Sequence, residues 1–188
     1  MSQPEMTEND RTRALDLLRA NRDRVQQMLL GVPAAQLAHH PADGRWSLGD
    51  VIAHLAVVEK RSGRLITSHL GAAAPVAPAE ANDEDRSGRD DANLALLADR
   101  SRQVEAPDWL QPKPELADAT LALDTFLTAR DELIDFAAKV RTNLRARKAT
   151  HPALGTLDGV QWLMMVAAHG DRHVDQMREI KATEGFPA

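Results

Sequence analysis

The 188-residue sequence carries 23 Lys and Arg against 28 Asp and Glu, a formal charge of −5, with 43% hydrophobic and 27% charged residues. That is the balance of a soluble globular protein, and a chain of this length buries enough surface to fold as one domain over 1–188 without a structural zinc. It has no cysteine, which removes disulfides, thiolate ligands and cysteine nucleophiles and fits a reducing cytosol, so a cytoplasmic protein is expected.

Met1–Asp10 is polar and acidic, unlike a signal peptide, and no run of about 18 apolar residues marks a transmembrane helix. The densest basic stretch, Arg141, Arg145, Arg147 and Lys148, reads as a solvated helix end, where cations suit the helix dipole, rather than as a DNA contact. Neither nucleic acid nor membrane is an expected partner.

The first helical pattern spans 7–30, with Ala14, Leu18, Asn21, Val25 and Met28 on one face and Gly31-Val32-Pro33 stopping it. A short polar segment follows, with room for one helical turn at Ala34 to Ala38, and ends in the turn-like Pro41-Ala42-Asp43-Gly44. The second helix spans 47–70. Ser47 and Asp50 have capping-box spacing, and Trp46 stands just outside as a staple.

From 71 to 118 the periodicity breaks. Gly71 to Pro78 reads as a helix stop and extended chain, Glu80 to Asp91 as charged and irregular, and 93–102 as a short helix. Pro107, Pro112 and Pro114 exclude a regular element beyond it. A connection this long, crossing the length of a bundle, would leave the helices on either side of it parallel. The third helix spans 119–147 and the fourth 156–184, with Thr156 as its N-cap after Gly155. No alternating strand pattern is visible. The expected fold is all-α: a four-helix bundle with a long crossover connection between helices two and three.

Seven histidines are present. His39, His40 and His69 fall in or beside predicted loops, and His151 before Pro152 reads as a turn or packing residue. His169 and His173 are four apart in the most apolar helix, so their imidazoles project from one face and can converge on one ion. A third ligand would come from another helix, and His54, two turns into the second helix among Val51, Leu55 and Val58, qualifies. Spacing equally allows three hydrogen-bonded core histidines, because it does not show that the two helices meet.

The run Trp46-Ser47-Leu48-Gly49-Asp50-Val51-Ile52-Ala53-His54-Leu55 resembles the first signature of the DinB-like superfamily. Ala168-His169-Gly170-Asp171-Arg172-His173 resembles its second, His-x-x-x-His on the fourth helix. His151-Pro152-Ala153-Leu154-Gly155 and Gln161-Trp162-Leu163 are similar to the lead-in between them.

The resemblance covers nearly the whole chain and implies a divalent metal ion (Zn, Ni, Fe or Mn) on His54, His169 and His173. Three imidazoles leave such an ion an open position, the arrangement of catalytic zinc. The resemblance further implies a low-molecular-weight thiol, such as bacillithiol or mycothiol, as substrate of an S-transferase. A non-catalytic metal-binding or stress-related bundle is the alternative. A homodimer suits bundles of this family, although no interface stripe stands out.

No general base is assigned. Asp50, one turn before His54, could accept an imidazole N–H or serve the cap. Glu59 and Asp171 read as solvated or salt-bridged acids, and Arg172, off the ligand face, could pair with an acid or a substrate carboxylate.

Overall fold

A computed structural model describes residues 6–41, 44–72, 86–101 and 105–188, with the side chains of Arg86 and Ser87 outside the description. The expected extended chain over 73–78, the first half of the irregular charged stretch (80–85), the centre of the turn at 42–43 and the last residue of the 93–102 helix lie outside the described residues.

Four long helices form the bundle: α1 (Glu8–Leu29), α3 (Leu48–Arg64), α5 (Ala119–Lys139) and α6 (Gly159–Lys181). A single turn, α2 (Ala34–Leu37), precedes α3, and α4 (Arg86–Ala98) lies in the crossover and packs on α6. The cap of α3 follows the expected chemistry, Ser47 with Asp50 forming a reciprocal capping box, and Thr7 with Asp10 forms another at α1. A π-helical turn, Leu65–Leu70, carries α3 on to Gly71.

Two apolar clusters fill the interior, and the order in which each helix crosses them gives its direction. α1 passes from the first cluster (Ala14, Leu15, Leu18) to the second (Val25, Leu29), and α6 likewise, from Val160–Ala167 to Val174–Ile180. α3 and α5 run the opposite way, from Leu48–Ala56 to Ile66 and from Phe126 to Leu133. Helices two and three of the bundle are therefore parallel, and the crossover returns the chain along its length.

Between the clusters lies a polar layer. Arg130, fully buried, donates Nε and Nη2 to the Glu59 carboxylate at 2.6 and 2.8 Å. Its remaining N–H groups reach Asn21 Oδ1 at 2.8 Å, the Leu18 carbonyl at 3.1 Å and the Val166 carbonyl at 3.4 Å. All of its donors are thus satisfied, which is what makes a buried guanidinium tolerable. Asn21 passes the contact on, donating to Asp171 at 2.7 Å, and Arg24 clasps the same carboxylate. Gly170 lets α6 approach α1 here: a Cβ on it would collide with the Asn21 amide.

Several expectations fail. The third helix ends at Lys139, not 147, because the chain turns at Val140 into a short 3₁₀ turn, Leu144–Ala146. An antiparallel hairpin follows, β1 (Lys148–His151) with β2 (Gly155–Asp158), where no strand was expected. Neither four-residue strand, Lys-Ala-Thr-His or Gly-Thr-Leu-Asp, alternates apolar and polar residues, so neither carries the strand signal. The fourth helix accordingly starts at Gly159, with Asp158 rather than Thr156 as its cap. The short crossover helix is Arg86–Ala98 rather than 93–102, and two 3₁₀ turns, Asp108–Leu110 and Pro114–Leu116, occupy the proline-rich stretch expected to be irregular.

The basic stretch is not a solvated helix end either. Arg145 is buried and bonds Asp90 at 2.8 Å, Asp158 at 3.1 Å and also Asp10, tying α1, α4 and the hairpin to the start of α6. Desolvation opposes its charge, but the surrounding carboxylates outweigh it and hold the guanidinium protonated. Among the described residues, no helix is long and apolar enough to cross a membrane.

Two outcomes test this packing. Arg130→Leu strands a buried carboxylate and is expected to lower the unfolding free energy in urea by about 3–5 kcal/mol, most of it recovered in the double variant R130L/E59L. Gly170→Ala, which forces α1 and α6 apart, is expected to cost about 1–3 kcal/mol by the same measurement.

Candidate metal centre

His54, on the second turn of α3, and His169 and His173, one turn apart on α6, come together where these helices pack. Each offers a ring nitrogen, and the three nitrogens lie within 4.8 Å of one another. Ring centroids are 4.6 Å apart for His169 and His173, 4.7 Å for His54 and His173, and 5.3 Å for His54 and His169. His54 and His173 are 2% and 8% exposed, while His169 is half-buried and forms the open side of the cluster. Trp46, the residue stapled outside the α3 cap, lies against His54 at 4.9 Å and stacks on His173 at 6.4 Å.

The tautomers follow from hydrogen bonding. His54 Nδ1 is 2.7 Å from the Leu110 carbonyl, which can only accept, so Nδ1 carries the proton and Nε2 keeps its lone pair. His173 Nδ1 donates to Gln176 Oε1 at 2.7 Å with the same consequence. The Nε2 atoms of His169 and His173 are 3.3 Å apart. Two nitrogens each about 2.0–2.1 Å from a tetrahedral ion stand about 3.3–3.4 Å from one another, so this pair already has ligand spacing.

Burial pushes the His54 imidazole below its usual range, with the Leu110 carbonyl pulling weakly the other way. His169 and His173 are driven well below it, first by burial and then by the neighbouring imidazoles. All three are therefore neutral at neutral pH, the form a metal ligand needs.

The acids and cations considered beside the site have other work. Asp50 closes the cap, accepting the Ser47 N–H at 2.9 Å, so the imidazole proton of His54 goes to Leu110 instead. Glu59 is buried against Arg130 rather than solvated, and Asp171 binds Arg24 and Asn21. Arg172 donates to the Leu97 and Asp99 carbonyls near the end of α4. Among the described residues, the histidine cluster includes no carboxylate.

The remaining histidines lie apart from it. His40 binds the Arg45 carbonyl, His39 packs on Phe186, and His151 accepts the Ala153 and Leu154 N–H groups in the hairpin turn. His69 falls in the π-helical turn, beside the start of the crossover as expected. Gln176 was legible in principle, three residues after His173 and so on its face of the helix. The Leu110 contact was not, since a carbonyl has no residue-type signature.

A sequence profile of the DinB superfamily matches residues 17–177. The chain belongs to the DinB superfamily. It is 24% identical over 153 residues to the Bacillus subtilis protein YuaE, covering 81% of this chain and 88% of that one. Its fold is similar to that of YfiT from Bacillus subtilis, described as a probable metal-dependent hydrolase with an unusual four-helix bundle topology. That likeness has a TM-score of 0.62 at 16% identity and covers 100% of this chain and 94% of YfiT. The four-helix bundle is thus a fold this chain shares with YfiT.

The hydrogen bonds make a measurable statement. In ¹⁵N-resolved spectra of metal-free protein, His54 and His173 should both appear as neutral Nδ1–H tautomers. Nε2–H forms of either would contradict the geometry.

Proposed function

We propose that this protein is a divalent-metal-dependent enzyme in which His54, His169 and His173 are the ligands, and that it transfers a low-molecular-weight thiol to an electrophilic substrate. The observation that supports the reading most directly is the 3.3 Å separation of two Nε2 atoms, with the Nδ1 protons of His54 and His173 turned outward onto acceptors. Bound by three neutral imidazoles, such an ion keeps an open position and strongly acidifies a thiol or water placed there.

The chain's own contribution is to hold the three rings and to keep bulk solvent off two of them. Trp46 walls the cluster beside His54 and His173, leaving the half-buried His169 as the side from which a small molecule enters. A metal-coordinated thiol is deprotonated outright, which supports a thiol as the nucleophile. Water is the competing nucleophile, and the fold likeness to YfiT, with its hydrolase description, favours that second reading.

Tag-free protein should bind Zn²⁺, Ni²⁺, Fe²⁺ or Mn²⁺ at one ion per chain, and His169→Ala should lose that binding. Binding by neither protein overturns the site. The loaded enzyme should conjugate one of bacillithiol, mycothiol, glutathione or cysteine to monochlorobimane in a chelator-sensitive way. Chelator-sensitive ester or amide hydrolysis without thiol transfer would replace the transferase with the hydrolase.

A further inference from the structure

Among the described residues, the crossover segment bonds to the histidine cluster through backbone, at the Leu110 carbonyl. That carbonyl sits at the end of a 3₁₀ turn, Asp108–Leu110, preceded by Pro107, whose carbonyl accepts the Leu110 N–H at 2.7 Å. The turn is braced from its far side: Gln111 Nε2 donates to the Ala106 carbonyl, and Lys113 Nζ to the Asp108 carbonyl at 3.1 Å.

An aromatic side chain of the turn points outward. Trp109 is 46% exposed, an unusual position for the largest apolar side chain, and it is covered on one face by the Arg61 guanidinium at 5.4 Å from the ring centroid. Arg61 is two helical turns beyond His54, on the same side of α3. The helix that carries the histidine therefore also carries the group that holds the turn bonded to it.

We propose that Trp109 and Arg61 are positioning residues for His54: their cation–π contact docks the 3₁₀ turn on α3 and so aims the Leu110 carbonyl at Nδ1. This rests on the reading of His54 as a metal ligand and extends it. A ligand imidazole whose outer N–H is anchored stays in one tautomer and one orientation, and loss of such an anchor typically weakens metal affinity by about 10–100-fold. The contact lies at the surface, where cation–π pairs contribute little to folding, so its effect on stability should be small.

The experiment compares wild type, Trp109→Ala, Arg61→Ala, Trp109→Phe and the double variant R61A/W109A, with Leu30→Ala as an exposed control outside the turn. Two quantities are read: the hydrogen-exchange rate of the His54 Nδ1–H in metal-free protein, and Co²⁺ affinity from its visible absorption. Trp109→Ala should speed the exchange and weaken Co²⁺ binding by about tenfold or more, with the thermal midpoint close to that of the control. Trp109→Phe should restore most of the affinity, and the double variant should be no weaker than Trp109→Ala, since both side chains serve one contact.

A Co²⁺ affinity within about twofold of wild type in Trp109→Ala overturns the inference while leaving the ligand assignment intact. Wild-type protein that binds no Co²⁺, Zn²⁺ or Ni²⁺ overturns both, and that result is distinguished by His54→Ala having no effect.

Discussion

One guanidinium joins the four long helices. Arg130 of α5 meets Glu59 of α3, the Leu18 carbonyl and Asn21 of α1, and the Val166 carbonyl of α6, in a layer between two apolar clusters. Apolar packing alone is tolerant of sliding and rotation, because Leu against Leu looks much the same a turn higher. A buried ion pair with every donor matched is not tolerant, since any shift strands a charge. The layer thus fixes the height of α3 relative to α6, and with it the distance between His54 and the pair on α6.

The bundle was legible because helical periodicity is a property of whole segments. Leu18 and Val25, or Leu133 and Ala137, repeat at helical spacing, and Thr7, Ser47, Gly31 and Gly71 mark ends that the structure keeps within a residue or two. The hairpin was not legible. Its strands are four residues long, its turn contains Pro152, and its burial depends on Leu157 reaching the core and Trp162 donating to the Ala149 carbonyl. Tertiary contacts decide that stretch, and the basic residues leading into it look solvent-bound until Asp10, Asp90 and Asp158 are brought around Arg145.

The histidine cluster divides the same way. Two of its members share a helix and declare their convergence by a four-residue spacing, while the third needed the knowledge that α3 and α6 touch. Arginine and asparagine in the middle of helices read as surface, so Arg130 gave no warning of a buried role, although Asn21 already stood on an apolar face. What sits outside the rings divides too: Gln176 follows from helix geometry, whereas the Leu110 carbonyl depends on how a proline-rich segment returns across the bundle.

Because α3 and α5 run in the same direction, the chain must travel the length of the bundle between them, whatever residues it uses. Lengthening such a connection is thermodynamically mild, each doubling costing about 0.6 kcal/mol in closure entropy. The described part of the crossover touches the rest of the protein mainly through α4 on α6 and the turn at Leu110. The bundle therefore forms a chassis, and the crossover a cover pinned to it at Asp90 and at the Leu110 carbonyl. Changes of length or composition away from those two pins would leave the four helices and their buried arginine as they are.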